Sequence, residues 1–113
     1  ADLPEPAEAG EVRLKFTPGC DFKTLGAGVI ADFTKYAESC PHLTLAPDNC
    51  EGVRVNFDKE HGNGWALVRM SLHEPIMPIN VESNDVGGNA RIKAELYAFL
   101  SKYDFLDTEN LKK

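Results

Sequence analysis

The residues with the clearest chemical potential run Arg69-Met70-Ser71-Leu72-His73-Glu74-Pro75. An arginine lies near the end of the mostly apolar stretch from Trp65 to Met70, and a short loop with a hydroxyl and an ionisable ring follows. That order suits an oxyanion. The guanidinium supplies a charged fork, Ser71 a hydroxyl donor, and the loop amides can point inward. The competing reading is structural, with Arg69 paired to a nearby carboxylate such as Glu82 on the next strand. Residue types alone leave both open.

Other candidates carry less. Ser71 and His73 form a hydroxyl–imidazole pair, but no acidic orienter or oxyanion motif accompanies them, so nucleophilic catalysis is not expected. His42 follows Pro41 at a helix end and reads as a surface residue; His61 lies in a hairpin loop and needs no ligand role. The three cysteines, Cys20, Cys40 and Cys50, are odd in number and lack CxxC spacing. Neither a metal site nor a disulfide framework is expected, and reduced thiols in a cytoplasmic setting are the default. Gly87-Gly88 ahead of a helix reads as a flexible turn and not as a phosphate loop.

The elements that must hold the Arg69 loop follow from periodicity. Val12, Leu14 and Phe16 alternate with charged residues, the period of a half-buried strand. Thr17-Pro18-Gly19 breaks it, and Asp21 is placed to cap a helix. In that helix Phe22, Leu25, Gly26, Val29, Ile30, Phe33, Tyr36 and Ala37 form one apolar stripe, ended by Pro41. Gly26 and Gly28 weaken its propensity by about 1 kcal/mol each, so close packing on a sheet is expected to hold it. A short extended piece spans Leu43 to Ala46, and residues 47–52 form a turn.

Strands follow from Val53, from Trp65 to Met70 and from Ile76 to about Glu82, with residues 59–64 as a hairpin connection. Met77, Ile79 and Val81 should face the core. Pro78 lacks a ladder donor, so this strand is expected to expose an edge or bulge there. Asn89 is placed to cap a final helix whose buried stripe is Ile92, Leu96, Phe99, Leu100 and Tyr103, while Arg91, Lys93, Glu95 and Lys102 face water. The expected fold class is α+β: an antiparallel sheet of about four strands with two helices on one face. Residues 1–9 read as a linker, 10–103 as the domain and 104–113 as a polar tail.

Composition sets the outer limits. The 113 residues suffice for one domain, and 42% hydrophobic with 27% charged residues is ordinary for a globular chain. Twelve basic against eighteen acidic residues leave a formal charge of −6, which lacks the basic field that nucleic acid or an acidic membrane requires. No long apolar run suggests a membrane span or a signal peptide. The chain opens at Ala1 without an initiator methionine, which suggests a processed protein or an excised piece.

The loop and its flanks resemble the α-D-phosphohexomutases. Arg69-Met70-Ser71-Leu72-His73-Glu74-Pro75 is similar to that family's phosphate-binding loop, commonly Arg-x-Ser-Asn-Thr-Glu-Pro. Glu51-Gly52-Val53-Arg54-Val55 resembles its "DGVRV" strand, and residues 64–69, Gly-Trp-Ala-Leu-Val-Arg, its "GWxLVR" approach to the loop. Ile79-Asn80-Val81-Glu82-Ser83 is similar to its "LxVEA" strand, and Gly10-Glu11-Val12 to the "GEI" strand that opens its last domain. The matched segments occur in the family's order.

The resemblance implies the C-terminal, fourth domain of a phosphomannomutase/phosphoglucomutase, with a TATA-box-binding-protein-like fold that carries no nucleic-acid function here. The parent isomerase moves a phosphoryl group between the 1- and 6-positions of a hexose, with a phosphoserine donor and magnesium. This chain contains neither the phosphoserine loop nor the aspartate-rich metal loop, so it should hold no catalytic residue and no cofactor of its own.

Its implied role is to grip the phosphate not being transferred, through Arg69 and Ser71 and the loop around Leu72 and His73. The implied partners are the phosphosugar and the parent's other domains, and the implied location is cytoplasmic. Leu72 stands where asparagine is usual and His73 where threonine is usual, so two side-chain donors give way to one ionisable ring. The alternative is a stand-alone structural or interaction domain that has lost phosphate binding.

Overall fold

The computed structural model describes residues 7–46, 52–71 and 73–112. The readings placed on residues 1–6, on the turn 47–51 with Cys50 and Glu51, on Leu72 and on Lys113 lie outside the described residues. The order is β1 (Glu8–Phe16), α1 (Phe22–Ser39), β2 (Leu43–Leu45), β3 (Gly52–Phe57), a 3₁₀ turn (Lys59–His61), β4 (Gly64–Arg69), β5 (Ile76–Ser83), α2 (Gly88–Leu100), β6 (Leu106–Asp107) and a second 3₁₀ turn (Glu109–Lys112). Six strands form one sheet in the order β2-β3-β4-β5-β1-β6, and every neighbouring pair is antiparallel. The α+β antiparallel class therefore holds, with six strands in place of about four.

Alternation along the strands does what its period requires. Val53, Val55 and Phe57, Ala66 and Val68, and Met77, Ile79 and Val81 are all buried, and they share one core with Val29 and Phe33 of α1 and Ile92 and Leu96 of α2. Both helices thus close over one sheet face. The intervening residues, among them Trp65, Leu67, Arg69, Asn80, Glu82 and Glu11, form the second face, which stays half-buried or exposed.

The Asp21 carboxylate accepts from the Thr24 amide at 3.3 Å and caps α1 as expected. Bonds from Thr24 hold its carboxyl below the usual range. Close packing explains one of the two helix glycines. A side chain at Gly26 would meet Met70 Cγ at 3.2 Å and Phe16 Cζ at 3.4 Å, whereas Gly28 faces open space.

Pro78 lies in β5 between β4 and β1, and the edge toward β4 is open there, as expected. The sheet tolerates it because the β4–β5 ladder ends at Val68–Ile79, one residue short of the missing donor, while β1 pairs Arg13 opposite Pro78. Asn89 does not cap α2; Gly87, at φ 87°, occupies the cap without a side-chain bond. Instead the Asn89 amide donates to Glu8 Oε1 at 2.9 Å, and amides of Asn89 and Gly87 hold the Glu8 carboxyl below its usual range. A carboxylate from β1 therefore meets the positive end of the helix. Glu8 and Ala9, read as linker, are strand residues.

The segment read as a polar tail is docked. Leu106 and Leu111 are buried, β6 pairs with β1, and Phe105 stacks on Phe16 at 6.0 Å between ring centroids. Three apolar residues in ten leave no period to read, but they suffice to fill a gap at the edge of the core.

Candidate functional site: the loop between β4 and β5

Arg69 is the last residue of β4 and stands opposite Gly52 of β3. A Cβ at Gly52 would fall 2.1 Å from the Val68 carbonyl oxygen and 2.9 Å from Arg69 Cα, so glycine permits the close approach of the two strands at this step. The loop beyond is fixed at both ends. Met70 packs on α1 at Gly26, and the Pro75 carbonyl accepts from the Phe16 amide of β1 at 2.9 Å. A tight turn from the Ile76 amide to the Glu74 carbonyl, 2.7 Å, leads into β5.

Within the loop the Ser71 hydroxyl oxygen accepts from the His73 amide at 3.4 Å and from the Glu74 amide at 3.2 Å. These two amides, expected to point inward toward an oxyanion, are instead engaged by the serine oxygen. Accepting two donors polarises the hydroxyl and leaves its own proton to give outward. His73 is exposed. Arg69 Nε is buried and has no hydrogen-bond partner among the described residues, and Nη2 lies 3.9 Å from Glu11 Oε2, beyond hydrogen-bond range.

The pairing with Glu82 considered from the sequence is not formed; Glu82 stands opposite Trp65 instead. A half-exposed guanidinium with weakly engaged donors, a polarised hydroxyl and a short turn together offer charge and directional donors to a tetrahedral oxyanion.

A second polar cluster escaped sequence reasoning. Glu95, read as facing water, has a side chain only 10% exposed. Its Oε2 accepts from the Tyr36 hydroxyl at 2.8 Å and lies 2.5 Å from His42 Nε2. The His42 ring stacks on His61 with centroids 4.2 Å apart, and His61 Nδ1 lies 2.5 Å from Asp58 Oδ1. The bond from His61 holds the Asp58 carboxyl below its usual range, and burial beside Glu95 pushes the Tyr36 phenol up. His42 is thus a half-buried tie between helices, not a surface residue. Its hydrogen-bond partner Glu95 lies more than fifty positions away, and no local spacing could announce it.

Among the described residues no group of three or more His, Cys, Asp or Glu could hold a metal ion. Cys20 and Cys40 are free thiols. No helix among the described residues is long and apolar enough to cross a membrane. No protein-family model matches the chain, and no curated protein matches it.

Proposed function

We propose that this chain is the C-terminal domain of a phosphohexomutase of the phosphomannomutase/phosphoglucomutase type, and that its β4–β5 loop binds the phosphate of a hexose phosphate. The carrying observation is the Ser71 hydroxyl collecting the His73 and Glu74 amides just beyond a weakly engaged Arg69. It occurs in the segment whose sequence resembles the family's phosphate loop. The alternation of half-buried strands under two helices supports the TATA-box-binding-protein-like arrangement that the resemblance implies.

In this reading Arg69 and Ser71 bind and orient the phosphate, the loop around Leu72 and His73 completes the grip, and the chemistry belongs to the parent's other domains. The phosphoserine and magnesium of such an isomerase, and its cytoplasmic setting, come with the resemblance alone.

The test is a titration of the isotope-labelled chain with inorganic phosphate and with glucose 1-phosphate, followed by backbone amide shifts. A few charge-assisted hydrogen bonds on an open loop should give a dissociation constant in roughly the millimolar range, with shifts centred on residues 69–74. Arg69→Ala should weaken binding about 10- to 100-fold. Absent shifts, or shifts centred elsewhere, would favour an interaction domain without phosphate binding.

A further inference from the structure

The strand that enters the sheet beside β5 brings a carboxylate to the candidate phosphate site. Glu11 of β1 stands opposite Asn80 of β5, and Asn80 stands opposite Leu67 of β4, two residues before Arg69. The two oxygens of Glu11 are divided between two arginines. Oε1 accepts from Arg13 Nε at 2.9 Å, and Oε2 lies 3.9 Å from Arg69 Nη2. Arg13 therefore holds the hydrogen bond, and Arg69 feels only the charge.

We infer that Glu11 is a built-in competitor for Arg69, restrained by Arg13, which sets how tightly the loop holds a phosphate. This rests on the phosphate reading above. Two effects of the carboxylate oppose each other. It could position the guanidinium, or it could neutralise Arg69 and repel a bound dianion. At 3.9 Å, with both side chains about two-fifths exposed, positioning is weak, because exposed ion pairs without a hydrogen bond contribute little.

Repulsion is stronger. A phosphate engaged by Arg69 carries up to two negative charges and, held on a guanidinium 3.9 Å from Glu11, would lie inside the Debye length of that carboxylate at moderate salt. The carboxylate therefore loosens the grip, and Arg13 limits the loosening by keeping Glu11 from closing fully onto Arg69. A site built this way favours rapid exchange of its ligand over tight retention.

The same amide titration with inorganic phosphate, run on the wild type, Glu11→Gln and Arg13→Gln, tests this. Glu11→Gln keeps the shape and removes the charge, and should tighten binding by about 3- to 10-fold at low ionic strength. The gain should vanish near about 0.5 M salt, where screening reaches only a few ångströms. Arg13→Gln should weaken binding, since Glu11 is then free to pair with Arg69. A purely structural role would not move the two variants in opposite directions.

A wild type that responds while Glu11→Gln binds within twofold of it, or more weakly, overturns this inference and leaves the phosphate reading standing. If neither the wild type nor Glu11→Gln responds, the phosphate reading fails, and this one with it.

Discussion

Arg69 and Gly52 face each other at the last step of the β3–β4 ladder, and the strands come so close there that any Cβ on residue 52 would strike the backbone of β4. The arginine proposed to grip phosphate is therefore placed by a residue with no side chain. Gly52→Ala should force the strands apart and cost about 1–3 kcal/mol, the usual range for overpacking. Chemical denaturation measures the loss, and amide shifts at Arg69 and Ser71 should report the displaced strand end. A variant as stable as the wild type, with unmoved shifts there, would show that the close approach is not needed.

The phenols give the protein an alkaline limit. Burial, reinforced by Glu95, pushes the Tyr36 phenol well above its ordinary value near 10, and burial with a 2.7 Å bond to Asp32 does the same for Tyr103. The unfolded phenols ionise first, so their contribution is complete below about pH 10 and is lost as pH rises beyond it. Urea midpoints measured from pH 8 to 12 should fall above pH 10, and fall less steeply in the Tyr36→Phe, Tyr103→Phe double variant. Equal slopes would rule this coupling out.

The C-terminal segment should be part of the cooperative fold. Leu111 is 3% exposed beneath α2, and the Asn110 side-chain amide donates to the Arg13 carbonyl at 3.1 Å. Leu111→Ala should cost about 2–4 kcal/mol, as buried leucines do. A chain ending at residue 103 should lose more, because Leu106 and the Phe105–Phe16 stack go with it. If Leu111→Ala unfolds within about 0.5 kcal/mol of the wild type, the segment is only lying on the surface.

How legible each part was depended on the range of the interaction behind it. Residues that act through their immediate neighbours could be read directly. Met77, Ile79 and Val81 declare a buried strand face because side chains alternate every two residues, and Phe22 to Ala37 declares a helix because its apolar side chains return every three or four. Asp21 caps α1 through an amide only three residues away. The short loop between Arg69 and Ile76 was legible too, but its folding back of the His73 and Glu74 amides onto Ser71 was not.

Pairings across the chain belonged to the tertiary structure. The carboxylate at the start of α2 comes from Glu8, eighty-one positions earlier, because β1 lies in the sheet next to β5. The same strand order sets Glu11 beside Arg69 in place of Glu82, and lets Pro78 sit inside the sheet where a neighbouring ladder stops. Glu95 left the polar face of its helix because Tyr36 and His42 met it there. By itself the sequence determined which faces are apolar and where the chain turns, since those depend on backbone periods. Only the packed sheet decided which charges meet, since that depends on which strands become neighbours.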